Sequence, residues 1–418
     1  MHHVVAKQAR KGRARREAAQ LAQGEGRAPT DTRVAISMEN PISIGIIGGG
    51  QLGKMIAQEA KRMSLKVFIL DPSEDCPASV VSDELIVADF KDERAIRKLS
   101  AMSHVVTYEI ELANWTALKE LESENYPVYP SPETLRLIQN KFRQKSFLKQ
   151  NNIPVPKFDL VRSHGNLEEL CQNYGFPAML KAAENSYDGR GNFLIDSRNM
   201  IKEAYLAFEG RESMLEKFTP FVKEISVMIA RNPRGQIESF PIAENIHKNN
   251  ILDMTIVPAR ISNKVLARAQ RVAQKTMKAL NGAGIFGIEM FVLPNDSIAI
   301  NEIAPRPHNS GHYSIEACSI SQFEQHIRAI LDLPLSKPRL LSPAVMINLL
   351  GPESFSGPYK IAGLEELFSI PSLKLHVYGK KISKPSRKLG HITITADSLE
   401  DAISRAKRAR RVAKIIMN

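Results

Sequence analysis

The run Gly48-Gly49-Gly50-Gln51-Leu52-Gly53 lies between a short apolar stretch (Ile44, Ile46, Ile47) and a segment with helical spacing (Leu52, Ile56, Ala60, Met63). Glycines so placed predict a tight strand-to-helix turn, whose backbone N–H groups and helix N-terminus favour an anionic ligand. Val67 to Leu70 form a second apolar strand ending at Asp71. Further alternation (LIVADF, a helical stretch over 92–101, then HVVTYEIE) predicts a parallel, doubly wound α/β domain over about 42–135. Taken alone, the glycine turn and Asp71 also fit a nicotinamide-dinucleotide site, so an NAD(P)-dependent oxidoreductase is one reading.

Beyond this domain the pattern changes. LRLIQNKFRQKSFLKQN reads as one helix, ended by the prolines of IPVPKF. AMLKAA, SMLEKF, EISVMIA, ESFPIAENIH and two strands around residue 290 predict an α+β unit with antiparallel pairing. A last unit begins near Pro343 with AVMINLLG and includes KLHVYG and GHITITA. Its terminal helix, from Ser398, would keep Leu399, Ala402, Ile403, Ala406, Ala409, Ala413 and Ile416 on one side and its arginines in solvent.

Composition narrows the function classes. The net charge of +12 is concentrated at the ends: residues 1–38 and 401–418 each carry +5, leaving +2 for everything between. A nucleic-acid-binding domain would carry its basic surface on the folded body, so no nucleic-acid partner is expected. Residues 1–40 are rich in Arg, Ala, Gly and Gln and nearly free of large apolar side chains, which predicts a disordered basic extension. No apolar stretch approaches the roughly 18–20 residues of a membrane span, and the amino-terminal segment lacks an apolar signal core. Cys76, Cys171 and Cys318 lie far apart with no C-x-x-C pair, which argues against a disulfide framework or a cysteine zinc site and fits a reducing cytoplasm; the short apolar stretches lead us to expect no membrane partner.

The richest segment for chemistry is GIFGIEMFVLPNDSIAINEIAPRPHNSGH. Two apolar strands flank the turn signature Pro294-Asn295-Asp296-Ser297. A hairpin centred on Asn295/Asp296 makes Glu289 and Glu302 cross-strand partners, with Cβ atoms only about 4.5–5.5 Å apart. A hard divalent cation would relieve that repulsion; otherwise one or both carboxylates must turn to solvent. Next come Arg306, His308 and Asn309 in a Pro- and Gly-punctuated loop, where Arg offers a planar fork for carboxylate, carbonate or phosphate. His308 and His312 could chelate zinc only on a helix, and Asn-Ser-Gly between them argues against one. Ser186-Tyr187-Asp188-Gly189-Arg190-Gly191-Asn192 is a glycine-hinged loop after AMLKAA, suited to fold over a polyphosphate that Lys181 could reach.

In order, GGGQLGKM, TYEIE, a K-x-x-x-K helix before IPVP, SYDGRGN, LEKF, ENIH, NEIAPRPHNSGH, ISQFEQHIRAI, VMINLLG and SRKLGH span residues 44–395. Together they resemble the ATP-grasp superfamily and, within it, the 5-(carboxyamino)imidazole ribonucleotide synthases of purine biosynthesis. The resemblance implies an α/β and α+β chain with ATP-grasp architecture. An N-terminal doubly wound parallel α/β (Rossmann-like) domain would cover 41–135, a two-lobed ATP-grasp domain 136–335, and a small C-terminal domain with a terminal basic helix 336–418. It further implies a cytoplasmic homodimeric ligase that carboxylates the 5-amino group of 5-aminoimidazole ribonucleotide through carboxyphosphate, with ATP and bicarbonate as co-substrates. A formate-dependent glycinamide ribonucleotide transformylase is a neighbouring alternative.

The same resemblance implies residue roles. Lys141, Lys181 and the loop Ser186, Gly189, Arg190, Gly191 and Asn192 would hold ATP phosphates. Glu216, Lys217, Phe218 and Thr219 would form the adenine hinge, with Glu224 on the ribose and His247 and Asn301 beside the nucleotide. Glu289 and Glu302 would hold one or two Mg²⁺ ions. Many grasp ligases carry an Asn two residues after the second glutamate; Ala304 stands there, leaving a third ligand open. Arg306, His308, Asn309 and Lys388 would hold carbonate or its phosphorylated form. The ribonucleotide would lie on Gly50, Gln51, Leu52, Glu109, Tyr187, Asp188, Arg190, Arg387 and Lys388, with Asp188 a candidate base for the amine proton.

Overall fold

The computed structural model describes residue 39, residues 41–184 and residues 191–418. The expectation of disorder over 1–40, apart from Glu39, and the loop positions Ser186 to Arg190 lie outside the described residues.

Strands β1 (Ser43–Ile47), β2 (Lys66–Asp71), β3 (Glu84–Val87) and β4 (Val105–Tyr108) form an all-parallel sheet in the order β3-β2-β1-β4. Its strands read as continuous apolar runs because both faces are covered. Ile44 and Ile46 pack with Met55 and Ile56 of the helix Gln51–Arg62, and Ile47 and Leu70 pack with Ile96 and Leu99 of the helix Glu93–Met102. The glycine turn joins β1 to the first helix as expected. Gly48 takes a φ of +101°, and a Cβ on Gly53 would meet the Gly48 carbonyl oxygen at 2.3 Å, so strand end and helix can approach this closely only through glycine.

A second sheet holds β5 (Phe158–Val161), β6 (Ala178–Ala182), β7 (Asn192–Ile195) and β8 (Ser213–Lys217), antiparallel in the order β5-β8-β6-β7. The chain continues through β9 (Lys223–Arg231), β10 (Ile237–Ser239), β11 (Ala243–Lys248), β12 (Ile251–Val257), β13 (Gly284–Val292) and β14 (Ile298–Ala304). After these come β15 (Ala344–Leu350), β16 (Gly357–Ala362), β17 (Leu373–Val377), β18 (Ile382–Ser383), β19 (Lys388–Thr395) and β20 (Lys414–Met417). The large antiparallel sheet runs β14-β13-β9-β11-β12-β15-β19-β17, with β10 paired to β9, so three of its strands come from beyond residue 335. The amphipathic helix Asn263–Leu280 covers part of one face, packing Val265, Ala269, Ala273 and Met277 against Ile225, Val227 and Ile288.

Two sequence expectations fail for physical reasons. The helix expected through LRLIQNKFRQKSFLKQN is two, Pro132–Gln139 and Lys141–Gln150, separated at Asn140. Asn140 Oδ1 accepts from Arg143 N at 2.9 Å, while its Nδ2 donates to Glu212 at 2.6 Å and Glu184 at 3.0 Å. An Asn with such partners caps a new helix rather than continuing the old one. The terminal helix stops at Val412, and Ile415 and Ile416, β-branched and poor helix formers, join β20 instead, paired to β16. Ala413 and Ile416 therefore leave the expected stripe.

Candidate active site

A continuous cleft of about 2190 Å³ runs from the glycine turn across the large sheet to the second sheet. On its floor Glu289 of β13 stands directly opposite Glu302 of β14, as expected, but by a different register. Nearer the turn the partners are Met290↔Ile300 and Val292↔Ile298, one residue off the two-residue hairpin. A β-bulge with Asn301 as the extra residue then restores the Glu289↔Glu302 pairing. Burial pushes the Glu289 carboxyl up to about 7; Glu302 and Glu224 add to this, while His247 and Lys388 oppose it. Lys141 Nζ lies 3.4 Å from Glu302 Oε2, and His308 Nε2 lies 3.7 Å from Glu289 Oε1. Two opposed carboxylates suit a hard divalent cation. Among the described residues no third His, Cys, Asp or Glu completes a cage, so such a cation would share its shell with a ligand's oxygens.

The break at Asn140 places Lys141 in the first turn of its helix, tied to the residue just past β6 by Lys141 N donating to Ala183 O at 2.7 Å. One turn further, Lys145 is buried against Glu216 at 2.7 Å, and Lys181 of β6 reaches the other oxygen of Glu216 at 2.9 Å. Burial alone would raise the Glu216 carboxyl, but Lys145 and Lys181 outweigh it and hold it at about 2. The Glu216 side chain is therefore engaged inside the protein, and any hinge role falls to its main chain. Phe218 and Thr219 line the cleft; Lys217 is exposed outside that lining. Phe221 stacks on Phe291 with centroids 4.6 Å apart. His247 Nδ1 sits 2.5 Å from Glu224 Oε2; burial alone would lower this imidazole, and Glu224 lifts it overall.

At the other end, Arg306 Nη2 meets both Glu111 oxygens, at 2.9 and 3.1 Å. His308 Nδ1 accepts from Ser310 N at 3.4 Å and lies 2.8 Å from Ser310 Oγ. Burial, then Arg306 and Lys388, keep its imidazole well below the usual range, so the ring is neutral with its proton on Nε2, the nitrogen nearest Glu289. Asn309 lines the cleft and is held by Asn348. Lys388 opens β19 on the cleft wall, and Arg387 Nη1 donates to Ile382 O at 2.8 Å.

The glycine turn closes this end, with Gly50, Gln51 and Leu52 in the wall. Gly50 N donates to Glu109 Oε1 at 2.6 Å; burial pushes the Glu109 carboxyl up to about 7, with Arg306 and this N–H opposing. Asp71 is 7% exposed and accepts from Gly49 N at 2.7 Å and Ser73 N at 2.9 Å. The nicotinamide reading needs that acid for a ribose, and here its two oxygens each already accept a backbone N–H.

Apart from Lys217 and Gly191, every described residue singled out for ATP, metal or substrate lines this one cleft, including Asn192, Glu224, His247, Asn301 and Arg387. Ser186, Tyr187, Asp188, Gly189 and Arg190 are outside the described residues, and Gly191 (φ +82°) follows them into β7. Sequence reasoning quoted the motifs that contain Lys145, Glu111 and Asn348 but gave these three residues no role. The K-x-x-x-K spacing sets Lys145 on one helical face with Lys141, but nothing local names Glu216 as its partner. Glu111 follows Glu109 within TYEIE, but nothing local announces its distant arginine. Asn348 carries no signal beyond a lone Asn in an apolar strand.

Comparison with known proteins gives three consecutive family matches: the ribonucleotide synthetase preATP-grasp domain over 42–139, the ATP-grasp domain over 146–323 and the phosphoribosylaminoimidazole carboxylase C-terminal domain over 344–405. Phosphoribosylaminoimidazole carboxylase of Ogataea methanolica is 43% identical over 86% of the chain and 67% of the relative. The chain spans about two thirds of the length of such fungal carboxylases. N5-carboxyaminoimidazole ribonucleotide synthase of Bacillus subtilis is 42% identical over 84% of the chain and 90% of the relative. The crystal structure of the Thermotoga maritima N5-carboxyaminoimidazole ribonucleotide synthetase superposes with a TM-score of 0.84 at 47% identity, covering 90% of this chain and 100% of that one. The Aspergillus clavatus N5-carboxyaminoimidazole synthase, solved with ADP and 5-aminoimidazole ribonucleotide, gives 0.82 at 36% identity, covering 89% and 98%.

Proposed function

Since the chain belongs to the ATP-grasp family of N5-carboxyaminoimidazole ribonucleotide synthases, we propose that it carboxylates the 5-amino group of 5-aminoimidazole ribonucleotide, using ATP and bicarbonate, in purine biosynthesis. A bicarbonate oxygen attacks the γ-phosphorus and the bond to ADP breaks, giving carboxyphosphate. The ribonucleotide's amine nitrogen then takes the carboxyl carbon as phosphate leaves and the amine loses a proton. The observation that carries this reading is the cleft itself, with the opposed Glu289–Glu302 pair followed directly by the donors Arg306, His308 and Asn309.

The assignments follow the cleft from one end to the other. Lys141, Lys181 and the 186–192 loop hold the ATP phosphates, and the main chain of 216–219 holds the adenine. Glu224, His247 and Asn301 orient the rest of the nucleotide. Glu289 and Glu302 hold Mg²⁺, one or two ions, which when bound neutralises phosphate charge. Arg306, His308, Asn309 and Lys388 bind bicarbonate and hold its reactive phosphate ester away from water. The glycine turn, Glu109, Tyr187, Asp188, Arg190 and Arg387 bind the ribonucleotide. The working unit is a homodimer in the cytoplasm, and the chain divides at 41–135, 136–335 and 336–418.

Phosphate release from ATP tests this directly. Release should require both bicarbonate and 5-aminoimidazole ribonucleotide. Turnover unaffected by omitting either, or seen instead with glycinamide ribonucleotide and formate, would overturn it.

A further inference from the structure

Asn348 lies on β15 behind the cleft wall and is not among the residues lining the cleft. Its Nδ2 donates to Leu252 O at 2.7 Å and to Asn309 Oδ1 at 2.7 Å, and its Oδ1 accepts from Asn309 Nδ2 at 3.0 Å. The two amides thus form a reciprocal pair with both residues only 7% exposed. A carbonyl oxygen can only accept, so Leu252 fixes which end of the Asn348 amide faces it. That orientation in turn fixes Asn309, because reversing Asn309 would set N–H against N–H and oxygen against oxygen. Asn309 keeps one N–H and one lone pair uncommitted by this pair. On the far side, Asn348 is the ladder partner of His391, which is fully buried with its Nδ1 3.0 Å from Tyr378 OH. A β-strand packed on both sides gives this amide little freedom to move.

We propose that Asn348 is a positioning residue that sets the amide of Asn309 so that an N–H serves the bicarbonate-derived oxyanion. The proposal rests on the reading above that Asn309 binds bicarbonate. Backbone carbonyl, buried amide and cleft amide then form a chain of command: the Leu252 main chain sets Asn348, Asn348 sets Asn309, and Asn309 meets the substrate. The energetic reason is that an amide free to flip presents its oxygen to the anion part of the time, and a fixed donor does not.

The test is steady-state phosphate release by the full chain with bicarbonate varied, for wild type, Asn309→Ala, Asn348→Ala and the double variant. Each single change should lower kcat/KM for bicarbonate on the order of tenfold, the effect of one hydrogen bond to a charged group. KM for ATP and for the ribonucleotide should stay within about twofold, a split that general loosening of the sheet would not give. The double variant should match Asn309→Ala alone. Losses that multiply in the double variant would overturn the proposal, as would an unimpaired Asn348→Ala beside an impaired Asn309→Ala. An unimpaired Asn309→Ala would instead remove the bicarbonate reading of that residue and the positioning claim with it. Should Asn348→Ala not fold, Asn348→Ser, which keeps a donor for Leu252 O but cannot form the reciprocal pair, carries the same comparisons.

Discussion

Replacing Glu216 with glutamine removes the anion held between Lys145 and Lys181. Its carboxyl sits at about 2 in place of 4.5, with burial opposing and the two lysines prevailing. Because the folded value is the lower one, this group contributes stability above pH 4.5 and loses it as pH falls toward 2. A depression of that size corresponds to about 3 kcal/mol at neutral pH. A second route agrees: removing one partner of a buried ion pair typically costs about 3–5 kcal/mol, because the remaining charge is stranded. Lys145, 2% exposed, is the group left stranded here. Glu216→Gln should therefore lose about 3–5 kcal/mol of unfolding free energy at pH 7, measured by urea denaturation followed by far-ultraviolet circular dichroism. Lys145→Met should be destabilising too, and the double variant should lose less than the two single losses combined, by about 1 kcal/mol or more. A Glu216→Gln loss under about 1 kcal/mol, or strictly additive single losses, would refute the charge accounting.

A buried neutral histidine should make its own contribution to acid destabilisation. His326 is fully buried, with Nε2 3.0 Å from Thr107 Oγ1 and Nδ1 accepting from Ile285 N at 3.2 Å, and burial holds its imidazole at about 3. The unfolded chain takes that proton below about 6.5 and the folded chain refuses it, so this one histidine should contribute about 2 kcal/mol to the loss of stability between pH 7 and 5. The fall should be smaller by that amount in His326→Asn; equal falls in the two proteins would refute it. Chelation should abolish ATP turnover and Mg²⁺ should restore it, while Glu289→Gln and Glu302→Gln each lose on the order of 100-fold or more in kcat. Normal rates in both variants would remove the metal assignment.

How far the chain was legible depended on the range of the interaction. The glycine turn and the parallel order of the first sheet followed from local pattern, since Ile44 to Asp71 carry strand, turn and helix signals in sequence. The opposition of Glu289 and Glu302 was also readable, though two departures cancelled: the turn shifts the ladder by one residue and the bulge at Asn301 shifts it back. The helix break at Asn140 was not readable, because the side chains that make it a cap, Glu184 and Glu212, lie 44 and 72 residues away. The end of the last helix failed for a similar reason. Ile415 and Ile416 suit either a helical stripe or a strand, and only the presence of β16 decides between them. The acidic, basic and glycine residues of the cleft announced themselves by type, whereas Lys145, Glu111 and Asn348 are held by partners that only the fold brings near.

The charges in the cleft are balanced unevenly, and the imbalance separates carboxylates paired with cations from one that faces a second carboxylate. Glu216 is held at about 2 by two lysines, and Glu244, despite burial, is drawn below the usual range by Arg260 and Lys223. Glu289 moves the other way, to about 7, chiefly because it is buried, with the carboxylate opposite adding to the rise. Like charges across a ladder cost roughly 0.2–1 kcal/mol, a small term beside the burial of Ile288, Met290, Ile300 and Ile303, each at most 1% exposed and worth about 1.5–3 kcal/mol. The apolar face of the ribbon therefore holds the acidic face in register without help from any ion. A cation held between Glu289 and Glu302, as proposed above, would meet a ribbon already in register, so its binding would draw down one raised carboxyl rather than fold the hairpin.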